Sequence, residues 1–161
     1  MGYKIVKMKY VEIKDVLQAV EELKKRETKF TAPSWQKIAY TEKSLRRHNE
    51  EVARYRNKII SKFGKPVKKD IRGNVISWDL GENQTQVNHL LTKFLETKIA
   101  VHVFGMDLAE FELLGEIPGH IGLTEFIEAV TDCEEGNELL AEQVDKLNYE
   151  TLKGLYDPDK E

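Results

Sequence analysis

A helix-rich α+β fold is predicted by three features of this 161-residue sequence. Apolar residues recur at helical spacing from about residue 12 to 25 and again over 34–63. The period then shortens to strand-like alternation over 67–78, and a β-branched run at 98–104 stops at Gly105. The predicted arrangement is an N-terminal antiparallel helical hairpin, a small β-hairpin plus one further strand, and C-terminal acidic helices.

Residues 3–10 alternate imperfectly and predict a short strand. In the first helix Ile13, Val16, Leu17, Val20 and Leu23 fall on one face, and Lys24, Lys25 and Arg26 close its last turn, where cations complement the helix dipole. Residues 28–34, with Pro33, read as a break. The long helix 34–63 repeats Ile38, Leu45, Val52 and Ile59 every seventh position, and Tyr55 and Phe63 extend that stripe. Such a heptad can serve a dimer seam, but packing on the first helix explains it more simply. Gly64 caps this helix and Pro66 bars its continuation.

Two strands, 67–71 and 75–78, are joined through Arg72-Gly73-Asn74. Asn83 or Thr85 caps a helix carrying Val87, Leu90, Leu91, Phe94 and Leu95, and the strand 98–104 follows. Asp107 caps a brief helix through 114, and residues 115–122 form a glycine-rich loop. Helices follow at 123–132 and at a stripe of Leu139, Leu140, Val144, Leu147 and Leu152; the polar tail 157–161 is expected to fray. With no repeat or linker, the chain reads as one domain, 1–161. Its parts are a basic helical hairpin (1–64), a small β/α element (65–104), an acidic helical segment (105–156) and the tail.

Charge is the most unusual feature of the composition. Residues 1–80 hold 20 Lys and Arg against 10 Asp and Glu, a balance of +10; residues 81–161 hold 5 against 18, a balance of −13, and the two give the net −3. Cys133 is the only cysteine, so an intramolecular disulfide or a cysteine-built zinc site is excluded. The first residues carry no apolar run of signal-peptide length, Val6 breaks the myristoylation pattern, and no stretch approaches 18 apolar residues. A reducing, cytoplasmic setting without membrane contact is therefore expected.

The sequence has no phosphate-cradling Gly-rich loop ending in Lys-Ser/Thr, no Gly-x-Ser-x-Gly elbow and no His-Glu-x-x-His pair, so no catalytic residue, metal ligand or cofactor is assigned. The loop 115–122 has the wrong glycine spacing for a dinucleotide, and Pro118 removes a backbone donor. An acid–base or metal role for Glu112, Glu116 and His120 ranks third among the functional readings, because Pro118 interrupts any regular spacing.

The better candidate surface is basic. Lys43, Arg47, Arg54 and Lys58 share the face opposite the apolar stripe, Arg46 lies beside them, and Lys68, Lys69 and Arg72 follow. These cations can meet phosphates or an acidic partner, with Tyr40, Tyr55 and Trp78 available for stacking. Glu50 and Glu51 interrupt the stripe, and the acidic C-terminal helices can instead fold back and neutralise it. Glu125, Glu128, Asp132, Glu134 and Glu135 form a candidate acidic surface for a basic partner, which would steer association more than strengthen it. Two complementary surfaces on one molecule also permit a homo-oligomer.

The order of elements is that of a short strand, a helix like Asp15–Leu23, a long charged helix, a turn at Gly73-Asn74, a short helix with Leu90-Leu91 and Phe94-Leu95, and the strand 99–103. Over about residues 3–104 this layout resembles a family of small, functionally uncharacterised proteins of tailed bacteriophages and prophages of Gram-positive bacteria. The resemblance implies a phage origin and a protein that works by binding; it carries no site residue. The leading expectation is a non-enzymatic accessory protein engaging a host or virion protein. A nucleic-acid or nucleotide binder using the basic helix face is the alternative.

Overall fold

The computed structural model describes residues 3–25, 30–114, 121–131 and 141–160. Their order is β1 (Tyr3–Lys9), α1 (Tyr10–Lys25), α2 (Ala32–Phe63), β2 (Lys65–Lys69), β3 (Val75–Asp79), α3 (Gln84–Leu95), β4 (Lys98–Phe104), α4 (Ile121–Thr131) and α5 (Ala141–Leu152). Short 3₁₀ segments occupy Gly81–Asn83 and Leu108–Leu114. The molecule is thus helix-rich with two small antiparallel sheets.

The N-terminal helices pair antiparallel. Tyr10 at the start of α1 reaches Glu51, whereas Glu21 and Lys24 near its end reach Arg46 and Glu42, earlier in α2. The apolar stripes drive this pairing: Ile13, Val16, Val20 and Leu23 are buried in one cluster with Ile38 and Leu45. Helix α2 starts two residues before the expected position. Thr31 caps it, accepting the Ser34 N–H at 3.3 Å, and Pro33 sits in the first turn, where its missing N–H is not needed. Gly64 ends α2 in an extended conformation. A Cβ there would lie 2.7 Å from the Ile60 carbonyl oxygen, so close approach explains this glycine.

Strand β1 pairs with β4 from Tyr3↔Phe104 to Lys9↔Lys98, giving the further strand its partner from the other end of the described fold. Residues 99–103 of β4 are all buried, which matches their unbroken apolar run with one histidine. Helices α2, α4 and α5 pack on this strand. The edge of β4 away from β1 would leave backbone groups unpaired. There the side chain of Asn148 on α5 accepts the Ala100 N–H at 2.8 Å and donates to the Ala100 carbonyl at 2.9 Å, and Thr41 of α2 accepts the Phe104 N–H at 2.9 Å.

Several expectations are corrected in detail. Strand β2 starts earlier and includes Pro66, which an edge strand tolerates; the turn lengthens to 70–74, with the Asp70 carboxylate accepting the Arg72 and Asn74 N–H groups and Gly73 at φ 86°. The Asn83 side chain makes no cap; it donates to the Phe63 carbonyl and ties α3 to the end of α2. Gly122 lies inside α4. On α5, Leu147 is exposed while Asn148 is buried. The tail lies along α2: Lys58 meets Asp159 at 2.8 Å, and Lys62 donates to the carbonyls of Pro158 and Lys160. Residues 115–120 of the predicted loop 115–122, Leu139 and Leu140 lie outside the described residues.

Candidate functional site

Part of the charge asymmetry is resolved by pairing between the halves. Lys9 meets Glu96, Lys37 meets Glu110, Arg47 meets Asp145 and Lys58 meets Asp159, each joining a basic-half cation to an acidic-half carboxylate. These are largely exposed contacts, individually worth about 0–1 kcal/mol, so they set register more than stability. Arg46 is used inside the helical hairpin, bridging Glu42 and Glu21. Among the described residues, Lys43, Arg54, Lys68, Lys69 and Arg72 are exposed cations without such a partner. The predicted basic stripe is therefore divided. Its middle is covered by α5 and the tail, and its free charge sits at Lys43, at Arg54 and on the β2–β3 hairpin.

That hairpin projects from the core. Every residue of β2 is exposed, and on β3 only Val75 and Trp78 are half-buried. Val67, Ile71 and Ile76 are 65%, 106% and 58% exposed beside Lys65, Lys68, Lys69 and Arg72. Trp78 sits half-buried at the hairpin base near Gly64, and Tyr40 packs edge-on against Phe104, so neither acts as a free stacking platform.

A second feature is a cleft of about 760 Å³ between the C-terminal half of α2, α3, α5 and the tail. Glu51, Arg54, Tyr55 and Lys58 reach it because positions i, i+3, i+4 and i+7 share one face of α2. Phe94 from α3 is stacked between Tyr10 at 4.4 Å and Tyr55 at 4.0 Å, with interplanar angles of 14° and 8°. The Tyr55 hydroxyl donates to the Tyr156 carbonyl at 3.0 Å and anchors the tail across the opening. Tyr149 of α5 and Lys153 just after it close the other side, the ammonium 4.9 Å from the ring centre. The cleft thus gathers two of the predicted basic residues, Arg54 and Lys58. Glu51 reads in the sequence only as an interruption, because its partner Tyr10 is 41 positions away.

Buried carboxyls organise the surroundings. Burial alone would raise Glu51, but the nearby His48 and the hydrogen bond from Tyr10 hold it below the ordinary carboxylate value; the Tyr10 hydroxyl donates to Oε2 at 2.7 Å. Burial likewise opposes Glu42 and Glu110, and Lys24 with Arg46, and Ser34 with the Asp107 N–H and Lys37, bring them down. Depressed carboxyls stabilise the fold above their unfolded pKa near ~4.3 and lose that contribution as pH falls through the lower folded value.

Glu125 behaves in the opposite sense. Proposed from sequence as part of an outward acidic surface, it lies half-buried with Oε2 unpartnered among the described residues, and burial followed by Asp15, Glu12 and Glu128 raises its pKa. A raised carboxyl loses stabilisation as pH climbs through its folded value. Glu125→Gln is therefore expected to raise Tm by about 1–2 °C at pH ~7 and to leave it unchanged near pH ~3, read by thermal melts at both pH values. Glu128 is exposed; Asp132, Glu134 and Glu135 lie outside the described residues. So do Glu116 and His120, and the Glu112 side chain.

Among the described residues no group of three His, Cys, Asp or Glu is placed to hold a metal, and no helix is long and apolar enough to cross a membrane. No protein-family model, curated protein or solved structure matches the chain.

Proposed function

We propose that this chain is a non-enzymatic, phage-type accessory protein that binds an acidic surface of a host or virion protein, with the β2–β3 hairpin as its contact element. It would act in the cytoplasm of a bacterial host or on the virion. The observation that carries the reading is the hairpin itself: three large aliphatic side chains, Val67, Ile71 and Ile76, stand exposed among Lys65, Lys68, Lys69 and Arg72. Exposed apolar groups set in an excess of one charge, here four cations against Asp70 and Asp79, mark protein-binding surfaces, the cations guiding approach and the aliphatics supplying contact area. A phosphate backbone would satisfy the cations and leave the aliphatic groups in water. The nucleic-acid alternative on the helix face has less support, because Asp145 and Asp159 already occupy Arg47 and Lys58.

The test is affinity capture with the tagged full chain beside two variants, Ile71→Ser with Ile76→Ser, and Lys68→Glu with Lys69→Glu. A protein retained by the wild type and lost from both variants is expected. Undiminished capture by both, or binding to nucleic acid that falls steeply with salt and is not matched by any protein, overturns the reading.

A further inference from the structure

The β2–β3 hairpin is a sheet of its own, so among the described residues each strand has a neighbour on one side only. Its two outer edges are not alike. The edge of β2 is obstructed: Pro66 lacks an N–H, and Lys65, Lys68 and Lys69 resist the approach of another strand. The run Val75-Ile76-Ser77-Trp78-Asp79 of β3 has no proline or lysine, and its charge comes only at the last position. Its β-branched and aromatic residues suit a strand. The core sheet is treated differently, since Asn148 and Thr41 close the bare edge of β4 with side-chain hydrogen bonds. Among the described residues nothing of that kind closes β3.

Charge restricts what can join this edge. The hairpin sets Lys65, Lys68, Lys69 and Arg72 against Asp70 and Asp79. Both carboxylates are engaged by backbone, Asp70 by the Arg72 and Asn74 N–H groups and Asp79 by the Gly81 N–H at 3.0 Å. Neighbouring strands lie about 4.8 Å apart, so the β2 lysines would stand about 10 Å from a strand added to β3. That is comparable with the screening length of about 8 Å at physiological salt, so carboxylates on the added strand are attracted. The same cation excess opposes pairing with the β3 of a second copy, which brings like charges together.

We propose that β3 accepts an extended acidic segment of the partner as a third strand, with main-chain hydrogen bonds supplying affinity and the hairpin cations selecting carboxylates. The inference rests on the hairpin being the contact element; it adds the conformation and charge of what the hairpin holds.

The probe is the blocked peptide acetyl-Glu-Val-Glu-Val-Glu-Val-Glu-amide, titrated into the full chain and followed by NMR and amide hydrogen exchange. With peptide bound, the β3 amides that face away from β2 are expected to exchange at least about tenfold more slowly, and those of α1 to be unchanged. Replacing every peptide Glu by Lys, or N-methylating every residue to remove the donors, should each weaken binding by about tenfold or more. Lys68→Glu with Lys69→Glu should reverse the preference between the acidic and basic peptides. No binding of the acidic peptide, equal binding of its N-methylated form, or slowed exchange confined to β2 overturns strand addition. So does β3 protection that appears without peptide and grows with protein concentration, the mark of a second copy on this edge. A failed titration beside partner capture that the hairpin variants abolish removes strand addition alone; capture undiminished by those variants removes the contact element itself.

Discussion

Replacing Asn148 with leucine is expected to lower the free energy of unfolding by about 2–5 kcal/mol, although the side-chain volume hardly changes. Asn148 is buried, and its amide meets both backbone groups of Ala100 on the edge of β4 that β1 does not cover. Leucine would leave a buried N–H and a buried carbonyl unpaired, each worth about 1–3 kcal/mol when stranded. Asn148→Asp sharpens the point. An ionised carboxylate can accept from the Ala100 N–H, but it turns a charged oxygen toward the carbonyl. Burial and that repulsion raise the folded pKa of the introduced acid. Its variant should therefore be most stable below the unfolded carboxylate value near ~3.9 and lose stability as pH rises through the folded one. Denaturant unfolding of the two variants at acidic and neutral pH measures both effects; parallel pH profiles would refute the assigned hydrogen bonds.

Phe94→Ala should cost about 3–5 kcal/mol. The ring is buried and stacked on both faces, so alanine removes one large side chain and two aromatic contacts together. Phe94→Leu keeps most of the apolar volume and loses the stacking, at about 0.5–1.5 kcal/mol per aromatic pair, for an expected total of about 1–3 kcal/mol. Chemical denaturation separates the two. A leucine variant as stable as the wild type would mean that the stack contributes nothing beyond burial.

The helical part of the fold was legible because its signals are local. The stripe of Ile38, Leu45 and Ile59 is buried as its spacing implies, and the run 98–104 forms the buried strand. What was hidden depends on long-range partners. Nothing near Tyr10 announces Glu51, and nothing near Asn148 announces Ala100, 48 positions away. Leu147 fitted an apolar stripe, yet the helix turns Asn148 inward because an unpaired strand edge needs an amide more than another aliphatic group. The tail looked polar and loose for a related reason: Asp159 and the carbonyls of Pro158 and Lys160 find Lys58 and Lys62 only after α2 and α5 have packed. For the site, composition revealed the basic stripe but could not divide it. Arg47 and Lys58 are occupied by α5 and the tail, and among the described residues the predicted cations without a carboxylate partner lie at Lys43, at Arg54 and on the hairpin.

The central claim is that the β2–β3 hairpin serves a partner and not the fold. It is tested most directly by replacing residues 67–77 with Asn-Gly, so that a two-residue turn closes on the Pro66↔Trp78 pair. The account predicts a Tm within about 3 °C of the wild type and complete loss of partner capture. A fall of more than about 10 °C, or capture that survives the replacement, would contradict it.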